Sequence, residues 1–156
     1  MGGARGPPWI DVRISAKGEY AIKAVLDLAL HHGHGLIPIQ EIAARQAIPQ
    51  RYLEQVLLAL KRAGVLTSRR GASGGYHLTA APADLTVGAV LRAVEGNEAP
   101  FEVGGAARGR GQGQDLAELW EEIADAVSRV IDRLTFEDLA ARVRERQGAA
   151  RAMYHI

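Results

Sequence analysis

The side chains with the most chemistry to offer lie in one stretch, between Pro49 and Thr79. Gln50, Arg51, Tyr52, Glu54 and Gln55 stand together at the start of a helical pattern. Arginine can grip guanine O6 and N7, glutamine can grip adenine N6 and N7, and a carboxylate such as that of Glu54 can accept from cytosine N4. A second group follows at Arg69, Arg70, Gly71, Ser73 and Gly74, where two guanidiniums flank a glycine-rich turn. Glycines let a backbone approach a sugar-phosphate chain closely, and a narrow minor groove attracts guanidinium. This is chemistry for reading a duplex. The run GASGG at 71–75 is a poor nucleotide phosphate loop, because no Lys-Ser or Lys-Thr follows it and no helix opens after it.

Competing readings attach to several of these positions. Tyr52 is either a base-edge contact or a half-buried ring whose hydroxyl bonds a phosphate. Glu54 and Gln55 would ordinarily be solvated helix surface. His31, His32 and His34 are close enough to suggest a divalent metal, yet Gly33 interrupts the helical spacing such ligands need. Imidazoles near a helix C-terminus are also favoured by its dipole, so no metal ligand is assigned. A catalytic set is missing: there is no cysteine, no serine on a nucleophile-elbow motif and no HExxH. Glu118, Glu121, Glu122 and Asp125 fall on one exposed helical face. The chain reads as a non-enzyme without a cofactor.

The elements that must position the two groups follow from periodicity. Leu53, Val56, Leu57 and Leu60 recur at helical spacing, Pro49 suits the helix start, and Gly64 suits its stop. Segments 65–70 and 76–79 then form a β-hairpin around the glycine tip. Upstream, Ser15 caps a helix over 16–32 that buries Tyr20, Ala24, Val25 and Leu28, and a short helix over 39–46 turns at Ala47 and Ile48 into the helix after Pro49. Short helix, turn, long helix and basic hairpin make a winged helix-turn-helix. Thr86 caps a further helix over 87–95, and 97–114 has neither a helical nor a strand period. The longest helical pattern, 115–134, carries an apolar seam of Leu116, Leu119, Trp120, Ile123, Val127, Val130, Ile131 and Leu134. A seam that long suits a two-fold dimer. Thr135 to Asp138 then resembles a capping box for a last helix over 136–147.

Three sequence motifs in order and spacing carry a resemblance: RISAKGEYA from Arg13, YLEQV from Tyr52 and RGASGGY from Arg70. Together they resemble the IscR/NsrR/CymR family of bacterial winged-helix transcription regulators, over most of the chain from Val12 onward. The resemblance implies a mostly α fold with a small β wing, a winged helix-turn-helix head and a long dimerisation helix. It implies a head over 12–95, a loop over 96–114 and helices over 115–147, while the Gly- and Pro-rich stretch 1–11 itself reads as a disordered extension and 148–156 as a short tail. Arg70 is then the minor-groove residue, and Glu54 and Gln55 join the base-reading set. Cluster-binding members hold three cysteines in the loop before the long helix; this chain has none, so its own thiolates hold no iron–sulfur cluster.

The later likeness, through Leu119, Trp120, Ile123, Thr135 and MYHI at 153–156, is to the CymR (cysteine-metabolism repressor) subgroup, which lacks clusters. That subgroup implies regulation through O-acetylserine sulfhydrylase (cysteine synthase), with Tyr154, His155 and Ile156 as a partner-binding tail. A free carboxylate and an apolar end residue suit such capture.

Charge distribution agrees with a DNA-binding head. Residues 1–82 hold ten Lys/Arg against five Asp/Glu, net +5, and residues 83–156 hold nine against thirteen, net −4. The absence of an apolar run near eighteen residues, and of a signal-like start, points to a cytoplasmic protein with no membrane span. The function expected is a dimeric, sequence-specific regulator, a repressor, acting on double-stranded palindromic DNA. The alternative is a winged-helix protein–protein module that does not bind DNA.

Overall fold

The computed structural model describes residues 11–104 and 116–154. Its first strand, β1 (Asp11–Arg13), leads into α1 (Ala16–Leu30), around which the head is assembled. Ser15 caps α1, its Oγ accepting from Gly18 N at 3.0 Å. Ala21, Ala24, Val25, Leu28 and Ala29 are buried on α1, small residues alternating with larger ones so that several helices can approach.

α2 (Ile39–Gln46) and α3 (Gln50–Arg62) make the helix-turn-helix. Between them Ala47 adopts a left-handed conformation, φ 53°, the one non-glycine residue to do so among those described. That conformation costs an L-residue roughly 1–2 kcal/mol. Ile48 offsets it by sinking into the core, 4% exposed, while its N–H bonds Ala43 O at 3.0 Å. Leu53, Val56, Leu57 and Leu60 are all buried on α3, as their spacing predicts. The helix closes with two bonds, Val65 N to Leu60 O at 2.9 Å and Gly64 N to Lys61 O at 3.0 Å, around Gly64 at φ 83°.

The wing is β2 (Leu66–Arg69) and β3 (Gly75–Leu78), antiparallel, with Leu66 opposite Leu78 and Arg69 opposite Gly75. Ile37 adds a short third rung, exchanging bonds of 2.9 and 2.8 Å with Tyr76. Gly75 permits this approach: a Cβ there would lie 2.5 Å from the Ile37 carbonyl carbon and oxygen.

After a 3-10 turn at Pro82–Asp84 comes α4 (Val87–Glu95), capped by Thr86 Oγ1 accepting from Ala89 N at 3.2 Å. The segment read as lacking any period contains β4 (Glu102–Gly104), which pairs with β1 through Val12 and Val103. Three residues are too few for alternation to show in sequence; the partner strand makes them a strand.

α5 (Ala117–Arg133) and α6 (Phe136–Tyr154) complete the chain. The Thr135 capping box is present: Asp138 N donates to Thr135 Oγ1 at 3.1 Å, and Thr135 N donates to Asp138 Oδ2 at 3.0 Å. α6, rather than α5, is the longest helix, and it runs past the expected stop at 147. Ala149, Ala150, Arg151, Ala152 and Met153 are strong helix formers, enough to offset Gly148, which costs about 1 kcal/mol. The expected tail is thus helical through Tyr154, while His155 and Ile156 lie outside the described residues, as do 1–10 and 105–115.

The apolar seam of α5 also divides. Trp120 and Ile131 are buried, Val127 and Leu134 pack against the head core, and Leu116, Leu119 and Val130 stay exposed, with Ile123 intermediate. At 3.6 residues per turn the stripe is wide enough to have two flanks, and the head occupies one of them. Fully buried Phe136 secures this docking, with Phe136 N bonded to Leu85 O and Val87 N bonded to Leu134 O. Arg92 and Asp132 form an ion pair across α4 and α5, whose second bond is 3.2 Å.

Candidate nucleic-acid interface

Burying four leucine and valine side chains of α3 forces the remaining positions outward. Gln50, Arg51, Tyr52, Glu54 and Gln55 are all exposed, as are Lys61 and Arg62 at the last turn. Tyr52 is 48% exposed and its ring lies 5.4 Å from the Arg51 guanidinium carbon, a cation–π stack. The stack limits the rotamers of both side chains before any contact is made. The first turn of α3 carries no acidic residue, so the positive end of its dipole is not neutralised there. Leu58, 46% exposed on the same helix, is an outward apolar group that periodicity did not single out.

On the wing, Arg69, Arg70, Gly71 and Ser73 are exposed and Gly74 is half-buried. The turn is closed by Gly74 N donating to Gly71 O at 3.0 Å. A Cβ on Gly74 would collide with the Arg69 carbonyl oxygen, so the tight tip requires glycine there. Arg69 and Arg70 form no ion pair among the described residues. The packing of α3 on β2, and of α1 on β3, fixes the wing to the same head as the helix.

Sequence reasoning missed what holds the helix-turn-helix in place. Asp27 on α1 is 1% exposed, the one charged residue in the described core. Arg45 of α2 donates to it twice at 2.9 Å, from Nε and from Nη2, and Gln46 donates at 3.2 Å. The hydrogen bond to Asp27 raises the Arg45 pKa above its ordinary value, burial opposes that, and Coulomb attraction adds to it. A bidentate fork sets direction as well as distance, so it fixes how α2 crosses α1. An acid amid Leu26, Leu28 and Leu30 was the available signal.

The loop that would carry cluster ligands offers no thiolate, since the chain has no cysteine. Among the described residues no group of three or more His, Cys, Asp or Glu can hold a metal ion, and His31, His32 and His34 do not form one. An iron–sulfur group does not fit this donor set. No helix of the described residues is long and apolar enough to cross a membrane.

A short helix, a left-handed turn, a helix with an outward polar face and a basic hairpin define a winged-helix transcription regulator. Residues 14–142 match the Rrf2 family, whose description is "Iron-dependent Transcriptional regulator". The chain belongs to the Rrf2 family of transcriptional regulators, and it is not an enzyme. It is 38% identical over 130 residues to the HTH-type transcriptional regulator CymR of Bacillus subtilis (strain 168), covering 83% of this chain and 91% of that protein. Two solved structures are similar. T. potens IscR superimposes with a TM-score of 0.72 at 34% identity, over 86% of this chain and 90% of that one. CymR, described as the global cysteine regulator of B. subtilis, gives 0.67 at 37% identity, over 83% and 97%.

Proposed function

We propose that this protein is a dimeric, sequence-specific DNA-binding repressor that works without an iron–sulfur cluster. The observation that carries this is the outward set on α3 together with Arg69 and Arg70 on the wing, all exposed on a head of regulator fold. Gln50, Arg51 and Tyr52 enter the major groove at the helix start, with Glu54 and Gln55 one turn further on. Arg70 takes the minor groove, and Gly71, Ser73 and Gly74 bring the backbone to the phosphates. A palindromic operator needs matched heads, and the outer flank of α5 (Leu116, Leu119, Ile123 and Val130) is the surface for the two-fold contact. Trp120, Val127, Ile131 and Leu134 support that surface from the head side.

The absence of cysteine moves the signal away from cluster chemistry. Likeness to a global cysteine regulator supports control of cysteine metabolism, with O-acetylserine sulfhydrylase as the protein partner. Its docking element is the chain end, where Met153 and Tyr154 are 77% and 91% exposed. His155 and Ile156 would complete it. Calorimetry of the host sulfhydrylase with the intact chain, and with one lacking Ile156, tests this element. Equal heats from both forms would remove the chain end from the interaction.

The test of DNA reading is selection of bound fragments from a random-sequence duplex library, followed by affinity measurement with Arg51→Ala and Arg70→Ala. Enrichment of a two-fold motif is the expected result. A library returned unenriched, with binding insensitive to both substitutions, would favour a protein–protein module instead.

A further inference from the structure

Between the end of α1 and the root of the wing lies a cavity of about 390 Å³. Ligand sites commonly occupy about 300–1,000 Å³. Its apolar lining includes Leu28, Ile37 and Leu78, and its polar lining is His31, His77 and Arg69, with His32 beside them. No carboxylate is among the lining residues. The acid behind it, Asp27, has an oxygen 3.9 Å from His31 Nδ1 but is already held by the Arg45 fork.

Two imidazoles here have their orientation fixed by backbone. His31 Nδ1 lies 2.7 Å from the Asp27 carbonyl, and His77 Nδ1 lies 2.9 Å from the Leu78 carbonyl. A carbonyl oxygen only accepts, so each Nδ1 carries a proton, and Nε2 is the nitrogen left to meet a ligand. The cavity therefore combines an apolar floor, a permanent cation and two imidazoles whose Nδ1 is already engaged.

We propose that this cavity binds a small organic acid with an apolar body and a hydroxyl group. The carboxylate pairs with Arg69, the hydroxyl hydrogen-bonds an imidazole Nε2, and the body covers Leu28, Ile37 and Leu78. Ile37 is also the rung that anchors Tyr76, so the ligand sits against the wing's own root. Resting on the DNA-binding reading above, the same geometry makes ligand and phosphate rivals for Arg69. Occupancy then lowers DNA affinity.

The probe is 2-hydroxyisocaproate, compared with its neutral amide, on the intact chain labelled with ¹⁵N-histidine. Imidazole nitrogen resonances of His31 and His77 should shift saturably with the acid below about 20 mM. The amide, and the Arg69→Met variant with the acid, should each bind at least about tenfold more weakly. A circular-dichroism melt matching wild type shows that the variant is folded. In parallel, saturating acid at constant ionic strength should weaken duplex binding at least about fivefold. Lack of a saturable shift, or equal binding of amide and acid, overturns the site. Shifts without any change in duplex affinity overturn the rivalry for Arg69. A chain that binds no duplex refutes the DNA-binding reading alone, since the imidazole shifts report the cavity independently.

Discussion

Replacing Arg45 by Met tests whether the Asp27 fork holds the helix-turn-helix together. Methionine keeps an apolar stem over the α1–α2 contact and removes both 2.9 Å bonds. Asp27 would then stay buried with only Gln46 donating strongly. Breaking a buried pair on one side costs roughly 3–5 kcal/mol. The Arg45 side chain is 36% exposed, so water replaces part of the guanidinium, and the expected loss is about 2–3 kcal/mol. At this chain length that is a melting-temperature drop of roughly 4–12 °C.

The double variant Asp27→Leu with Arg45→Met removes the stranded charge and should be more stable than Arg45→Met alone. A coupling energy of about 1.5–3 kcal/mol is expected from the cycle. Urea unfolding at one fixed protein concentration reads all four forms, so that any self-association contributes alike to each. Arg45→Met within about 0.5 kcal/mol of wild type, or strict additivity in the cycle, would refute a structural role for the fork.

Adjacent residues on α5 should separate two roles. Val130→Asp should give folded monomers in light scattering, whereas Ile131→Asp should lose about 3 kcal/mol or more of head stability. Gly75→Ala should cost about 2–3 kcal/mol in urea unfolding, because the new Cβ meets the Ile37 backbone; unchanged stability would contradict the three-rung wing. Asp138 is held below the ordinary carboxylate range, first by the backbone hydrogen bond from Thr135. Its contribution is present above the ordinary Asp pKa and lost as pH falls through the depressed folded value. Wild type should therefore melt above Asp138→Asn at neutral pH, and the two curves should converge in acid.

Much of the head was legible because its period is repeated. Leu53, Val56, Leu57 and Leu60 cover more than two turns, and the caps at Ser15, Thr86 and Thr135 sit at the starts they mark. β4 was illegible since three residues carry no period, and only β1, some ninety positions earlier, defines it. The end of α6 was misjudged because Gly148 suggested a stop that the alanines on either side of Arg151 override. The α5 seam was visible, but not its division: spacing shows an apolar face, while docking of Ile131 and Phe136 on the head decides which flank is left. The outward residues of α3 could be read because they are what the buried stripe leaves over. Asp27 and Arg45 are eighteen positions apart, a pairing that no local pattern encodes.

The most direct measurement is the salt dependence of binding to a selected two-fold duplex, by fluorescence anisotropy, for wild type and Arg70→Ala. Two chains per duplex are expected, with a logarithm of affinity that falls steeply with the logarithm of salt concentration. Arg70→Ala should cost about 1–3 kcal/mol per head and flatten the slope by about 2 for the dimer, one unit per guanidinium removed. One chain per duplex, or an affinity and slope that Arg70→Ala leaves unchanged, would contradict the dimeric DNA-binding reading.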